Sequence, residues 1–375
     1  MTPEIERIPL APAGPGTQRD LLVLRYGKKG AGPKAYIQAS LHADETPGMM
    51  VAHHLRRLLG DAEVLGEIVL VPYANPIGLS QMLLDQQIGR YELSGKGNFN
   101  RAWPDLFEAI GERVAGELGT DEARNRKVVQ TAMATHLHAW DPVDELESLR
   151  KTLCGLAYNA DVILDLHCDD DSLAHLYIVP QSWPEAADLA AGLDCRAVLT
   201  AEDSGGGSFD EAFSTPWIRL AKAHPKAAIP KPPLSITVEL RGQADVSDAL
   251  GEADAEAIFS ALQRRGVIGG KAPKAKAMKC EATDLAATEV VKAPIPGIAA
   301  YHVKLGETVT RGQVIAEIVD PGAEDLGRAR IAVHAGTDGL VLSLRSHKWV
   351  VPGATVAKIV GTEKLEGREG YLLEN

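Results

Sequence analysis

Apolar positions along this 375-residue chain change their period twice. Short β-branched runs at Leu21–Leu24, Ala35–Ala39, Ile68–Val71, Val162–Leu166 and Ser235–Leu240 alternate with stretches of helical spacing, such as Val51, Leu55, Leu58 and Leu59. Strand side chains alternate between two faces, whereas helical ones return to one face every three or four residues. The alternation therefore predicts an α/β domain on a largely parallel or mixed sheet. The pattern stops at Ile268 to Cys280, where Gly269, Gly270, Pro273 and four lysines (Lys271, Lys274, Lys276, Lys279) replace it. A solvated linker is the natural reading, and short strands separated by Gly turns follow. The expected divisions are an α/β domain over 1–268, a linker over 269–284 and an all-β domain over 285–375.

The all-β part carries a weak internal duplication. Ala293-Pro-Ile-Pro-Gly297 corresponds to Ala335-Gly-Thr-Asp-Gly339, and Gly312-Gln-Val-Ile-Ala-Glu-Ile318 to Gly353-Ala-Thr-Val-Ala-Lys-Ile359. Two such β units packed face to face bury what neither buries alone. With its Val303–Gly312 segment, this tail resembles the flattened barrel of biotinyl and lipoyl carrier domains. A carrier presents its modified lysine on the hairpin between the halves, and no lysine occurs here between Lys304 and Lys348. The resemblance extends to the fold and not to carrier activity.

Charge and composition exclude whole classes of function. With 39 basic against 51 acidic side chains the net charge is -12, the wrong sign for displacing counterions from nucleic acid. No run approaches the roughly 20 apolar residues of a membrane helix, and Met1 to Asp20 lacks the basic-then-apolar order of a leader. A cytoplasmic protein is expected, and a homo-oligomer is compatible with the sequence. Cys154, Cys168, Cys195 and Cys280 show no CxxC pairing and are expected to be reduced.

Four segments carry candidate chemistry. His42-Ala-Asp-Glu45 follows a strand and precedes Thr46-Pro47, an expected N-cap with proline at the first helical position. It is placed in a strand-to-helix loop at the carboxyl edge of the sheet, where open α/β folds hold ligands. Alone, the segment reads more readily as a surface or capping element. In Val162-Ile-Leu-Asp-Leu-His167 the period of two puts Asp165 and His167 on one face. There Asp165 is a candidate carboxylate behind a ligand, while the acidic run Asp169–Asp171 also suits a solvated turn. His, Glu and His with one open position is the arrangement of catalytic zinc, so His42, Glu45 and His167 are expected to bind one Zn²⁺ per chain. In Ser235-Ile-Thr-Val-Glu239-Leu240, a carboxylate within a β-branched strand is costly to bury without a partner. Partial desolvation would suit Glu239 to general-base work, the alternative being a salt bridge with Arg241 or an exposed strand face. Finally, Asn75-Pro76, Arg90-Tyr91 and Asn100-Arg101 lie in loop-like sequence. Its arginines would polarise a carbonyl and fork onto a carboxylate, or else lie on the surface.

Taken in order, HxxE, Asn-Pro, Arg-Tyr, Asn-Arg, strand-His and strand-Glu resemble the succinylglutamate desuccinylase/aspartoacylase family, a branch of the zinc carboxypeptidase superfamily, over about Leu21 to Leu240. The resemblance implies a zinc-carboxypeptidase-like mixed sheet flanked by helices, with a C-terminal β-domain. It also implies a zinc site of His42, Glu45 and His167, with Glu239 as base and then proton donor. Arg90 would polarise the scissile carbonyl, and Asn100 with Arg101 would hold the carboxylate of a small anionic substrate. The implied reaction is hydrolysis of an N-acylated amino or diamino acid. A peptide carboxypeptidase and a non-catalytic anion-binding module are the alternatives. The chain departs from the family pattern in Glu92–Phe99, which separates Arg90 from Asn100 and puts Phe99 where Leu is usual.

Three further features are expected to be structural. Ser204-Gly-Gly-Gly-Ser208, before a predicted helix over Phe209–Leu220, reads as a flexible connector that could also rim the pocket. His53, His54, His136 and His138 fall in helical sequence, and Cys168 lacks the surroundings of a thiolate nucleophile. His175, on the strand after the acidic turn, is a candidate for lining the site.

Overall fold

The five strands predicted before the linker all form, and one sheet gathers them. The computed structural model describes residues 2–373, so residue 1 and residues 374–375 of the expected segments lie outside the described residues. The main sheet contains β1 (Glu4–Pro9), β2 (Asp20–Gly27), β3 (Lys34–Ala39), β4 (Glu67–Val71), β5 (Val162–Asp169), β6 (His175–Ile178), β7 (Ala197–Thr200), β8 (Leu234–Gly242) and β9 (Ala282–Asp284). Their spatial order is β1-β2-β4-β3-β5-β8-β6-β7-β9. The sheet is mixed: β4, β3, β5 and β8 are parallel neighbours, while β6 runs antiparallel to β8. Strands covered on both faces read as nearly continuous apolar runs, which is why the central ones stood out.

Helices cover both faces. Beneath one lie α1 (Pro47–Gly60) and, later in the chain, Asp248–Arg264, whose Val51, Leu55, Ile258 and Leu262 meet Leu164, Leu166 and Val238 of the strands. On the other face are α2 (Leu106–Ala115), α3 (Glu122–Ala139), α4 (Glu145–Ala157) and α5 (Phe209–Ala223), contributing Ile110, Met133, Leu153 and Phe213. The helix over Asp248–Arg264 is α6. No described helix is long and apolar enough to cross a membrane.

Residues 269–281 form neither helix nor strand, yet Met278 and Cys280 pack against the first core. The last residues of the expected linker, Ala282–Asp284, are β9, the edge strand of the main sheet. The chain then forms β10 (Thr288–Lys292), β11 (Gly297–Tyr301), β12 (Val314–Val319), β13 (Arg330–His334), β14 (Gly339–Leu344), β15 (Trp349–Val350) and β16 (Thr355–Val360). One sheet runs β13-β12-β11-β15 and the other contains β14-β16-β10. Together they enclose Ile315, Ile318, Val341, Val356 and Ile359. The duplication has a physical counterpart: a Cβ on Gly297 would stand 2.4 Å from Val319 O, and one on Gly339 would stand 2.3 Å from Val360 O. Each half needs a glycine where its first strand crosses the end of its second.

This β unit docks on the acidic turn after β5. Asp171-Ser172 pairs antiparallel with Ser343-Leu344, the Leu173 amide donates to Leu342 O at 3.1 Å, and Lys358 Nζ lies 2.7 Å from Asp169 Oδ2. The acidic run is therefore a docking edge and not a solvated turn.

Candidate metal centre and its cavity

Backbone irregularities bring the candidate residues together. After β3 the chain turns through Ser40 at φ 55°, and Ser40 Oγ donates to Glu45 O at 2.8 Å, folding the His42–Glu45 loop on itself. Pro47 opens α1 as expected, but Thr46 has helical backbone angles and makes no side-chain capping bond. Gly89 lies so close to this loop that a Cβ there would stand 2.1 Å from Asp44 N, while Ala43 N donates to Gly89 O at 3.0 Å. Only glycine permits that approach, and it delivers the next residue, Arg90, to the site. His167 and Glu239 are register partners on the parallel strands β5 and β8. Past Glu239 the register shifts before Gly242, with Arg241 at φ 67°. Bulges of this kind re-aim side chains beside sites. Arg241 pairs with Asp254 Oδ1 at 3.3 Å and leaves Glu239 alone.

His42, Glu45 and His167 are buried with ligand atoms all within 4.8 Å of one another, and this group could hold a metal ion. Glu45 Oε1 lies 2.8 Å from His42 Nδ1, and Oε2 lies 2.8 Å from His167 Nδ1. The outer nitrogens are held too, His42 Nε2 at 2.7 Å from Asn98 Oδ1 and His167 Nε2 at 2.9 Å from Asp165 Oδ2. Acceptors that fix the far ring nitrogen orient a histidine for metal binding. Two imidazoles and a carboxylate, held from behind and converging, fit a borderline divalent ion. Burial pushes the His42 imidazole down to about 4, keeping it in the neutral form a metal needs. Burial alone would raise the Glu45 carboxyl, but the two imidazoles outweigh it and hold that group well below the usual range.

Arg90 and Glu239 flank this group. Arg90 Nη1 lies 3.2 Å from Glu45 Oε1 and 3.5 Å from His42 Nδ1. Burial, and next the Glu45 charge, push Glu239 up to about 8, and its Oε2 is buried without a partner among the described residues. Asn100 Nδ2 lies 3.3 Å from His167 Nε2, while its Oδ1 accepts from Phe209 N at 2.8 Å and Trp103 Nε1 at 3.1 Å. Arg101 reaches the C-terminal segment, Nε donating to Tyr371 OH at 3.0 Å. His175 does not line the cavity: it is fully buried on β6, with Nδ1 2.8 Å from Leu173 O. His54 and His136 lie in α1 and α3, and all four cysteines are free.

These residues open on a cavity of about 870 Å³, part of it solvent-exposed. Besides the metal wall, it has a wall of Ser204, Ser208, Asp210 and Thr237, and a third of Thr288, Lys358, Arg368 and Leu372 from the C-terminal part. The glycines of the Ser204–Ser208 run make room: a Cβ on Gly205 would stand 2.6 Å from Gly370 O, and one on Gly206 would stand 3.1 Å from Arg101 Cδ. The run is thus a packing surface as well as a rim. Sequence reading missed Asp210 and Lys358. Asp210 lay inside a predicted helix, and Lys358 is remote in sequence, so neither gave a local signal beyond its charge.

Residues 31–265 match the succinylglutamate desuccinylase/aspartoacylase catalytic domain family. No curated protein matches the sequence. A solved protein of that family from Shewanella amazonensis is 26% identical, with a TM-score of 0.83 over 95% of this chain and 98% of its own. Another, from Shewanella frigidimarina, is 25% identical, with a TM-score of 0.83 over 96% and 98%. The ectoine utilization protein EutE (DoeB) from Ruegeria pomeroyi, solved with product bound, shares the fold at 17% identity, with a TM-score of 0.65 over 97% and 96%. The chain therefore belongs to the succinylglutamate desuccinylase/aspartoacylase family, whose deacylase members support hydrolase activity for it.

Proposed function

We propose that this protein hydrolyses the amide bond of a small N-acylated amino acid, with one Zn²⁺ held by His42, Glu45 and His167. The observation that carries the reading is the convergence of those three buried groups, of which His42 and His167 line one cavity together with Arg90 and Glu239. A bound zinc ion supplies Lewis acidity, acidifying water and polarising a carbonyl. Glu239, with a carboxyl basic enough to accept a proton near neutral pH, takes one from the attacking water and returns it to the leaving nitrogen. Arg90 stabilises negative charge developing on the carbonyl oxygen. Arg101 and the Asn100 amide hold the substrate carboxylate, and the walls exclude bulk water. Residues 1–268 then form the hydrolase domain, 269–284 the connection, and 285–375 a barrel of biotinyl/lipoyl type without the modified lysine, whose third wall narrows the cavity to small substrates. The protein acts in the cytoplasm in this reading.

The test is hydrolysis of N-acetyl, N-succinyl and N-formyl amino acids by protein dialysed against chelator and then reloaded with Zn²⁺. Activity is expected only after reloading, on at least one acyl class. Glu239→Gln should lower kcat by about 10² to 10⁴ with zinc content unchanged. Full activity in metal-free protein, or an undiminished Glu239→Gln variant, would refute the assignment. Release of C-terminal residues from longer peptides in place of deacylation would make it a carboxypeptidase.

A further inference from the structure

Residues 99–104, among them Asn100 and Arg101 of the cavity wall, form neither helix nor strand, so their shape is set by what they touch. The loop passes through Ala102 at φ 55°, a left-handed conformation that alanine keeps only where its surroundings enforce it. The peptide group between Arg101 and Ala102 is held at both ends. Its carbonyl accepts from Arg150 Nη2 at 2.9 Å, and its amide donates to Gly206 O at the longer distance of 3.4 Å. A peptide unit is planar, so a bond that fixes its carbonyl also restrains the backbone angles on either side.

Arg150 projects from α4 and does not line the cavity. The carboxylates at the start of its own helix are engaged in capping, for Asp144 Oδ1 accepts from Glu147 N at 2.9 Å and Glu147 Oε2 from Val143 N at 3.1 Å. The guanidinium is turned to the loop instead. Its carbon stands 5.8 Å from the centre of the Trp103 ring, within cation–π reach, and its Nε is buried without a hydrogen-bond partner among the described residues. A buried donor left unmade costs stability, so the arrangement serves the loop more than the arginine. Trp103 is the second link, its ring 4.8 Å from that of Phe209 and its Nε1 donating to Asn100 Oδ1 at 3.1 Å. One guanidinium thus meets both the Arg101 carbonyl and the ring that holds Asn100. Without it, Ala102 is released from its left-handed angle and the residues beside it must readjust.

We propose that Arg150 is a positioning residue for substrate binding: by pinning the Arg101–Ala102 peptide it aims Arg101 and the Asn100 amide at the substrate carboxylate, without itself touching the substrate. This rests on the deacylase reading, which gives the carboxylate to those two residues, and adds a residue that the reading does not use.

The test compares zinc-loaded wild type and Arg150→Met on an N-acyl-alanine, of the acyl class that wild type hydrolyses fastest, and on the matching alaninamide, which lacks the carboxylate. Wild type should favour the acid in kcat/KM by about 10- to 100-fold, the scale of one charge-assisted hydrogen bond. In Arg150→Met the KM for the acid should rise until that preference falls to within about threefold of unity, while kcat on the acid and both constants for the amide move by less than about threefold. Adding Ala102→Gly, which makes the left-handed turn free of strain, should return the preference to within about threefold of wild type. A merely structural arginine would lower activity on acid and amide alike; that result would overturn the proposal, as would a variant with its preference intact. Should Arg150→Met not fold, Arg150→Lys, which lacks the planar fork, carries the same expectation and the same refutation. Calorimetric binding of N-acetyl-alanine and N-acetyl-alaninamide to metal-free protein gives a readout independent of catalysis. A wild-type preference for the acid that Arg150→Met lacks upholds the positioning role even if no acylated substrate is hydrolysed, an outcome that would end the deacylase reading alone. Equal or no binding of the two by wild type, or a preference that the variant keeps, overturns the role.

Discussion

The α/β part and the C-terminal β unit handle difficult backbone in opposite ways. In residues 285–373 every residue with positive φ is a glycine: Gly297, Gly306, Gly312, Gly353, Gly367 and Gly370. In the α/β part, six such positions are not glycine, and three of them adjoin the candidate site. Ser40 stands two residues before His42, Ala102 follows Arg101, and Arg241 stands two residues after Glu239. A left-handed non-glycine residue costs on the order of 1–3 kcal/mol and persists only where its surroundings hold it. The β unit thus has its turns relaxed by composition, while the α/β part tolerates strain at the positions that aim its chemistry. The polar groups do not follow this division: among the described residues Glu239 Oε2 and Ser204 Oγ of the α/β part and Thr288 Oγ1 of the β unit are buried without partners, and all three residues line the cavity.

If the β unit is the relaxed partner that secures the strained one, breaking its grip should have the largest effect on stability. Lys358 and Asp169 are largely buried, with side-chain exposures of 14% and 16%, and their ion pair joins the two parts at the cavity. Burial alone would raise the Asp169 carboxyl, but Lys358, followed by His175, overrides it and holds the group down at about 2. Removing one member of a buried pair strands the other charge, at a cost of about 3–5 kcal/mol. Lys358→Met should therefore lower unfolding free energy in urea by that amount. A change below about 1 kcal/mol would show that the two parts are coupled elsewhere.

How much of this was legible in the sequence follows the same division. Strand positions were readable because β3, β5 and β8 are buried on both faces, and HxxE was readable because its residues are neighbours in sequence. Gly89 carries a local signal for Arg90, since a glycine before a candidate arginine invites the question of what it lies against. Asp169–Asp171 misled, because a charge run looks solvated until a distant strand pairs with it. The three helices α2, α3 and α4 lie in the stretch between β4 and β5, where polar positions blur the period. Asp210 could not be chosen from sequence. In a first helical turn an Asp is a routine favourable charge at the helix N-terminus, and only tertiary packing turns it into a cavity wall.

His175 lies where the two parts meet and gives a comparison by pH. Its Nδ1 is 2.8 Å from Leu173 O and its Nε2 is buried without a partner among the described residues, so the neutral ring donates one bond and a second proton finds no acceptor among them. Burial pushes the group down to about 4 from 6.5. The unfolded chain therefore binds the extra proton between pH 6.5 and 4 and the folded chain does not. The stability this group contributes is complete above about pH 6.5 and is lost as pH falls towards 4. A difference of 2.5 units corresponds to an order of about 3 kcal/mol. Other groups titrate in the same window, so the readout is the difference between wild type and His175→Phe in urea melts at pH 7 and pH 4.5. The variant should lose less stability on acidification, and parallel losses would mean that His175 is not the linked group.

The smallest effect tests whether the β unit is relaxed because its glycines sit where they must. Gly297 and Gly339 occupy equivalent places in the two halves, each facing a carbonyl at the end of the paired strand. Alanine at either would push a Cβ to 2.3–2.4 Å from that oxygen, a backbone atom with no flexible end to yield. Overpacking of this kind costs about 1–3 kcal/mol, so Gly297→Ala and Gly339→Ala should each lower the melting temperature, and by similar amounts. Ser40→Gly is the opposite manipulation. It relieves a left-handed residue but removes the bond from Oγ to Glu45 O, so stability should change by less than about 1 kcal/mol while zinc is held more weakly, as equilibrium dialysis would measure. A Ser40→Gly variant with unaltered zinc affinity would mean that the strain at Ser40 is incidental to the site. Unequal losses in the two glycine variants would mean that the halves of the β unit are alike in sequence pattern but not in packing.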